Sequence, residues 1–196
     1  MAKKRINSKK KGSSVERQVA KLMSAWWGEE FSRSPSSGMF ATTHATALSS
    51  LGVDIAGDLI CPSDFPFNVE VKARKSIDLF DAARNGKQSE IWGWWEQSVR
   101  DANQTKKFPL VIFKENNKQF YCMIDDILPL HKRHNSLIFI EDRLSSRAND
   151  SFCIIPLVSL TNVTKEELLN NIQQLQKFNT NEVNGKREDV YLPPDI

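Results

Sequence analysis

Two acidic residues and a lysine have the types and the spacing that phosphodiester chemistry needs. Glu70 lies further along the chain than Asp58, and Lys72 lies two positions beyond Glu70. If the residues on either side of Asp64 form an antiparallel hairpin, Asp58 lies directly opposite Glu70. Glu70 and Lys72 then share a face of their strand, because side chains alternate along a strand. The sequence therefore predicts a cluster of two carboxylates and one ammonium group.

Such a cluster is suited to a hard divalent cation. Like charges directly opposed across a strand pair are destabilising, and an oxygen-preferring ion between them, Mg²⁺ or Mn²⁺, relieves the repulsion. The bound ion can polarise a phosphate and lower the pKa of a bound water, while an ammonium group stabilises the charge that builds on phosphorus. The chemistry indicated is hydrolysis of a phosphodiester. From spacing alone, a surface hairpin with a Glu–Lys ion pair is the alternative interpretation.

The elements that must position these groups indicate an α/β fold, with a central mixed sheet, an antiparallel hairpin and flanking helices. Ser13 and Glu16 fit a capping box that begins a helix, and Gly28 can end it. A second capping box at Thr164 begins another helix. The remaining predicted elements are hairpin strands at 59–61 and 67–72, a helix at about 88–103, and strands at 108–113, 119–124, 137–140 and 152–155.

Two features of these helices are open to more than one interpretation. Glu16 has a structural role in the capping box, but at about 100° per residue it also falls at the edge of the apolar stripe. A carboxylate in that position needs a partner or an ion. Trp92, Trp94 and Trp95 cannot all face one side of a helix, so we expect at least one to be exposed or at an interface. Core packing is the default interpretation of these rings, and base stacking is the alternative.

Composition narrows the class of protein. The chain has 196 residues, enough for one domain with a sizeable core. No apolar run approaches the roughly 20 residues that span a bilayer, and no signal peptide is visible, so we expect a soluble, cytoplasmic protein. Three well-separated cysteines and three histidines argue against a zinc site or a disulfide framework.

Charge is concentrated at the start of the chain. Six of the 27 basic residues fall in the first twelve positions, which hold no acidic residue. The remainder of the chain therefore has 21 basic and 24 acidic residues. We predict a flexible basic arm over residues 1–12, whose lysines either contact phosphates or are simply solvated. A single domain follows at 13–178, with a core at 13–124 and an extension at 125–178. Residues 179–196 are predicted to form a polar tail.

The order of these motifs resembles the PD-(D/E)XK nuclease superfamily over about residues 12–124. Asp58 followed by Glu70-Val71-Lys72 is similar to the metal-binding core of that superfamily. Upstream, Glu16 on a helix precedes Arg33-Ser34-Pro35-Ser36-Ser37-Gly38, an order similar to that of archaeal-type Holliday-junction resolvases and their phage-encoded relatives. The fold implied is a restriction-endonuclease-like core.

The sequence departs from the superfamily pattern around the aspartate. Gly57 stands where the superfamily has proline, and the loop between Gly38 and Asp58 is longer than in the archaeal enzymes. Asp54 is a rival for the metal aspartate. We favour Asp58 because it meets Glu70 in the symmetric hairpin.

The resemblance implies roles for individual residues of the site. Asp58 and Glu70 would be metal ligands, together with the backbone carbonyl of Val71. Glu16 would complete or orient the metal site, and Lys72 would be the catalytic lysine. These implied roles assign metal-dependent catalysis to residues from two strands and one helix.

The resemblance also implies contacts with nucleic acid. Arg33 and Ser37 would approach the scissile or an adjacent phosphate, and Gln97 would lie near the site on the following helix. With the basic residues of the strand and the arm, the predicted contacts are Arg33, Ser37, Gln97, Arg74, Lys9, Lys10 and Lys11.

The implied activity is that of a Mg²⁺-dependent DNA endonuclease. The resemblance favours branched DNA such as a Holliday junction, cut by a homodimer in phage recombination within the bacterial cytoplasm. Two alternatives stay open. One is a restriction-like or nicking endonuclease on unbranched DNA, and the other is a non-catalytic DNA-binding module of the same fold.

Overall fold

A computed structural model of the chain describes residues 8–34, 57–125, 138–141 and 151–182. Side chains are described for 12–34, 57–125 and 151–175 within these ranges. In chain order the elements are α1 (Ser8–Trp27), β1 (Ser32–Arg33), β2 (Leu59–Ile60), β3 (Phe67–Arg74), α2 (Asp81–Asn85), a 3₁₀ turn (Gly86–Gln88), α3 (Glu90–Thr105), β4 (Phe108–Glu115), β5 (Tyr121–Asp125), β6 (Ile138–Glu141), β7 (Ser151–Pro156), α4 (Leu157–Thr161) and α5 (Lys165–Glu182).

Among the described residues, the main sheet has five strands in the order β3-β4-β5-β7-β6. β3 and β4 run parallel, and the other neighbours are antiparallel. β1 and β2 form a separate antiparallel pair. The predicted class, an α/β fold with a mixed sheet, an antiparallel strand pair and flanking helices, is confirmed.

The apolar run over residues 108–113 becomes β4, and both of its faces are buried, as predicted. Leu110 and Ile112 pack with α1 and the C-terminal helices, while Val111 and Phe113 pack beneath α3. Since β3 lies beside β4 in register, with Glu70 paired to Val111, the side chain of Glu70 lies on the α3 face. The core thus fixes which side of the sheet carries the acidic cluster.

The strand pairing of the predicted hairpin is different in the structure. β2 pairs with β1, through Ser32 with Ile60 and Arg33 with Leu59, and not with β3. The connection from β2 to β3 turns at Ser63 and Asp64, where Ser63 is exposed, but the next residue, Phe65, is fully buried within an aromatic cluster. Its ring packs edge-on against Trp27 at 4.8 Å, between ring centroids. This burial draws the connection into the core and leaves β2 free to pair elsewhere.

Helix α1 begins at Ser8, five residues before the predicted capping box. Lysine is a good helix former, and a single interior glycine costs only about 1 kcal/mol, so the helix continues back past Gly12. The capping interpretation of Glu16 is therefore wrong, because the residue lies inside the helix. The predicted C-terminus is confirmed: α1 ends at Trp27, and Gly28 follows with φ +81°.

The C-terminal capping prediction is also confirmed. The hydroxyl oxygen of Thr164 accepts a hydrogen bond from the backbone N–H of Glu167 at 3.1 Å, and α5 begins at the next residue, Lys165. None of the helices in the described ranges is long and apolar enough to span a membrane.

All three tryptophans of α3 are buried, so the expectation that one would be exposed is wrong. One side of α3 packs on the sheet, where Trp95 contacts Phe152. Trp92 also contacts Phe152, Trp94 contacts Phe113, and Ile77, Leu79 and Ala82 pack in the same cluster. The default interpretation of core packing is therefore confirmed.

The segment after residue 125 contributes to the same core. Four consecutive residues of β7, from Phe152 to Ile155, are buried, and their side chains alternate between the two hydrophobic clusters. Leu168 and Ile172 of α5 pack with α1 on one side. The described part of the extension therefore completes the sheet, while the predicted domain boundaries stay predictions.

Candidate active site

Asp58 is bound to the outer edge of β3, the terminal strand of the main sheet. Its backbone N–H donates to the carbonyl of Val69 at 2.9 Å. Its carboxylate oxygen Oδ2 accepts the backbone N–H of Val71, also at 2.9 Å. The carboxylate thus accepts a hydrogen bond of the kind that a neighbouring strand would accept. This arrangement brings Asp58 to β3 as predicted, although by a different route from a regular hairpin.

Gly57 makes this close approach possible. Its φ is +99°, and a Cβ atom added there would lie 2.7 Å from the carbonyl oxygen of Val69 and 2.8 Å from Oδ1 of Asn68. Any side chain would clash with the backbone of β3 and adopt an unfavourable backbone conformation. The departure from proline noted in the sequence therefore has a local steric reason.

Glu70, Lys72 and Gln97 form a closed triangle of contacts. Nζ of Lys72 lies 2.5 Å from Oε1 of Glu70 and donates to Oε1 of Gln97 at 2.9 Å. Nε2 of Gln97 donates to the same oxygen of Glu70 at 3.0 Å. The side chains of Lys72 and Glu70 are 14% and 7% exposed. The triangle fixes the lysine ammonium close to the surface but largely out of water.

Glu16 and Arg33 form a second ion pair in the same region. Nε of Arg33 donates to Oε2 of Glu16, which is buried on α1. The next residue of that segment, Ser34, donates its backbone N–H to the carbonyl of Asp58 at 2.9 Å. Strand β1 therefore places Arg33 beside the aspartate. Arg33 thus pairs with Glu16, while Glu29 pairs with Lys165.

The electrostatics of the site are dominated by buried carboxylates. Burial raises the pKa of Asp58 to about 7, and the charges of Glu70 and Glu16 add to the rise. The Val71 N–H and the Lys72 charge oppose it but are outweighed. The pKa of Glu70 is also raised, chiefly by burial, despite its contact with Lys72.

The donor set suits a hard divalent cation. Asp58, Glu70 and Glu16 bring three carboxylates, whereas Lys72 and Arg33 bring only two positive charges, so a cation would relieve the excess. Within the described residues, no group of three His, Cys, Asp or Glu side chains is arranged to hold a metal. An ion at this site would therefore need backbone or water oxygens beside its carboxylate ligands.

The family assignment follows from comparison with known proteins. A family described as "Phage putative PDDEXK endonuclease" matches this chain over residues 7–185. The chain belongs to this family. The resemblance to PD-(D/E)XK nucleases is thereby confirmed, and membership of the phage endonuclease family implies DNA as the substrate.

One similar protein adds to the phage context of this endonuclease family. Protein D14 of Escherichia phage T5 is 27% identical over 129 residues, which cover 64% of this chain and 75% of the phage T5 protein. No solved structure matches the chain.

The remaining predicted residues of this phage endonuclease family member are placed as follows. Arg74 lies on β3 two residues beyond Lys72 and pairs with Glu90. Lys9, Lys10 and Lys11 lie in the first turns of α1, and their side chains are outside the described part. Ser37 and Asp54 also lie outside the described residues. The choice between Asp58 and Asp54 as the metal aspartate therefore stays a prediction.

Sequence reasoning missed one acidic residue of this region. Asp101 lies one helical turn beyond Gln97 on α3. Burial raises its pKa, while the charges of Arg100 and Lys72 and a hydrogen bond from Gln97 act in the opposite direction. The i, i+4 spacing from Gln97 was the available signal, because such residues share a helix face.

Proposed function

We propose that the chain is a metal-dependent DNA endonuclease, with its reaction centre at Asp58, Glu70 and Lys72. The observation that carries the proposal is the burial of two carboxylates, Asp58 and Glu70, at β3 with Lys72 in contact with Glu70, and the rise in the pKa of Asp58 to about 7 agrees with it. Carboxylates whose pKa is strongly shifted and that lie next to a specific charged partner are typical of functional sites. Family membership adds support, because this geometry occurs in a chain of an endonuclease family.

Asp58, Glu70 and the backbone carbonyl of Val71 would hold Mg²⁺, for which Mn²⁺ could substitute. When bound, the ion would polarise the scissile phosphate and lower the pKa of a bound water. Glu16 would complete or orient the site, and its ion pair with Arg33 keeps the Glu16 carboxylate fixed beside Asp58. The protein thereby supplies oxygen ligands from side chains that are largely shielded from water.

Lys72 would orient the attacking water and stabilise charge on the phosphate. An ammonium group has three N–H donors, and the contacts with Glu70 and Gln97 use two of them. The third can donate to a substrate oxygen without disturbing the other two. Gln97 thus holds Lys72 in position before the substrate binds. This preorganisation lowers the free-energy cost of arranging the site during the reaction.

The proposed substrate is branched DNA, cut by a homodimer in phage recombination within the host cytoplasm. Support comes from the order of Glu16, the Arg33 segment, Asp58 and Glu70-Val71-Lys72, which is similar to that of Holliday-junction resolvases. Two symmetric cuts in a four-way junction require two active sites, which a twofold dimer supplies.

A substrate panel tests this function directly. The purified chain is incubated with Mg²⁺ and end-labelled four-way junction, linear duplex or single-stranded DNA of matched sequence, and products are separated on denaturing gels. We expect paired nicks in the junction and little cutting of the linear forms. Light scattering of the junction complex, in EDTA to prevent cleavage, should give the mass of two chains plus one junction.

The same panel separates the alternatives. Equal cutting of junction and duplex would favour a restriction-like or nicking enzyme. Binding to every DNA with no cutting in Mg²⁺ or Mn²⁺ would favour a non-catalytic DNA-binding module and would contradict the proposal.

The lysines at the start of α1 are proposed to bind DNA phosphates. Replacing Lys9, Lys10 and Lys11 together by alanine should lower the slope of log affinity against log salt, by about 0.9 for each duplex phosphate that is no longer neutralised. Alanine is the best helix former, so the helix should persist. Binding is measured by fluorescence anisotropy over a salt series, with Lys21→Ala on the same helix as the control. An unchanged slope in the triple variant would count against this role of the lysines.

A further inference from the structure

Arg74 lies on the same face of β3 as Lys72, because the two residues are two positions apart. The rise of a strand, about 3.3 Å per residue, separates them by roughly 6.6 Å along β3. This separation is comparable to that of adjacent phosphates on one DNA strand. The side chain of Arg74 is 42% exposed, against 14% for Lys72, so a DNA strand can reach it from solvent.

The guanidinium group of Arg74 is held in place before any DNA binds. Its centre lies 5.2 Å from the ring centroid of Trp94, which is buried in α3. One of its terminal nitrogens donates to the carbonyl of Ala73 at 3.3 Å, and its Nε donates to Oε1 of Glu90 at 2.6 Å. A planar guanidinium fixed by an aromatic ring and two oxygens is organised to bind an oxyanion.

Glu90 occupies the position that an oxyanion would take. It lies in the first turn of α3, directly after the capping residue Ser89, and its side chain is 51% exposed. Carboxylate and phosphate oxygens accept from guanidinium N–H groups in the same geometry. An exposed ion pair contributes little to stability, so exchange of one anion for the other has a low cost.

We propose that Arg74 binds the DNA phosphate next to the scissile one, and that Glu90 holds Arg74 in the DNA-free protein until that phosphate replaces it. The inference deepens the proposed function and rests on it. It assigns to Glu90, a surface carboxylate by sequence, the role of a competing anion. Binding of any DNA at this position would thereby be weakened, because the phosphate must displace a carboxylate.

A double-mutant cycle on DNA binding tests the exchange. Anisotropy of a labelled four-way junction is measured over a KCl series in EDTA, so that no cleavage occurs. Arg74→Ala should weaken binding several-fold and lower the salt slope by about 0.9, the value for one duplex phosphate. Glu90→Gln should tighten binding several-fold. In the Arg74→Ala background, Glu90→Gln should have no such effect.

Two matched controls remove the general effect of charge. Glu96→Gln removes an exposed carboxylate from the same helix, and Lys75→Ala removes an exposed cation next to Arg74. Melting temperatures of all variants show whether the pair instead serves only the helix N-terminus, where an acidic side chain is stabilising. In that case Glu90→Gln would lower the melting temperature without changing DNA affinity, which would overturn the inference.

An unchanged salt slope in Arg74→Ala overturns the inference, and so does a Glu90→Gln effect equal to that of Glu96→Gln. A wild-type protein that binds no DNA overturns the proposed function and this inference together. A wild-type protein that binds but does not cut contradicts only the enzymatic part, because the cycle on affinity is still measured.

Discussion

Replacement of Lys72 by alanine should reduce the rate of DNA cleavage in Mg²⁺ by about 10²–10³-fold, the usual effect of losing one preorganised donor to a transition state. The ammonium group of Lys72 is held by Glu70 and Gln97 at the surface end of the site. Its loss removes the donor for the phosphate and leaves the rest of the site in place. Single-turnover cleavage of labelled DNA measures the effect on the chemical step.

The controls for this variant are DNA affinity and folding. Lys75→Ala removes an exposed lysine three residues further along and should cut at the wild-type rate. In EDTA, the affinity of Lys72→Ala for DNA should fall by no more than the contribution of one phosphate contact. A melting curve should show that the variant is folded. A folded Lys72→Ala protein that cuts DNA as fast as the wild type would remove this lysine from the reaction.

Replacement of Asp58 by asparagine should abolish the response to Mg²⁺ and, without metal, should stabilise the protein at alkaline pH. Burial raises the pKa of Asp58 to about 7 from an ordinary value of 3.8. The folded state therefore binds a proton more tightly than the unfolded chain, and stability is lost as pH rises through this window. Asparagine has no charge to bury, and its oxygen can still accept the Val71 N–H.

The rise from 3.8 to about 7 corresponds to a gain of about 4 kcal/mol at pH 8 in EDTA, or about 8–16 °C in Tm, and this gain should shrink towards pH 5. Mg²⁺ should raise the Tm of the wild type and leave that of the variant unchanged, because only the wild type binds it. Calorimetric titration and melting curves at both pH values measure these effects. Wild-type Mg²⁺ affinity in Asp58→Asn would exclude Asp58 as a ligand.

Two other aspartates provide matched comparisons. Asp64→Asn should have the opposite sign: burial acts to raise its pKa, but hydrogen bonds from Lys165 and Trp27 outweigh burial and hold it below the usual value. Its charge therefore stabilises the folded state above that pKa, and its removal should lower the Tm at pH 8. Asp54→Asn tests the rival ligand, and a larger loss of Mg²⁺ affinity there than in Asp58→Asn would reverse our assignment.

The sequence was sufficient for the parts of the site that depend on local periodicity. Glu70 and Lys72 share a face because they are two residues apart, and the apolar run of β4 was buried on both faces as expected. The family resemblance supplied Gln97, which the structure brings to Lys72. These relations need only the alternation of a strand and an ordered set of motifs.

The remaining relations depend on long-range packing and were not accessible from local pattern. Strand β2 pairs with β1, which carries Arg33, and not with β3. This pairing follows from the burial of Phe65 in the core. The burial of Trp94 depends on its contact with Phe113 of β4 and on a cluster that also includes Ile77 and Leu79, residues that carry no strong helical signal. In both cases, burial depends on contacts between elements that are far apart in the chain. The spacing of residues within one segment does not predict such contacts.

The attachment of Asp58 to β3 has a consequence for how this protein meets other protein molecules. The terminal strand of a sheet offers unpaired amide and carbonyl groups that can recruit a strand from another molecule, the first step of domain swapping or fibril growth. Here the N–H of Val71 and the carbonyl of Val69 are already engaged by Asp58. Asp58, the proposed metal ligand, thus also covers part of this strand edge against pairing with another molecule.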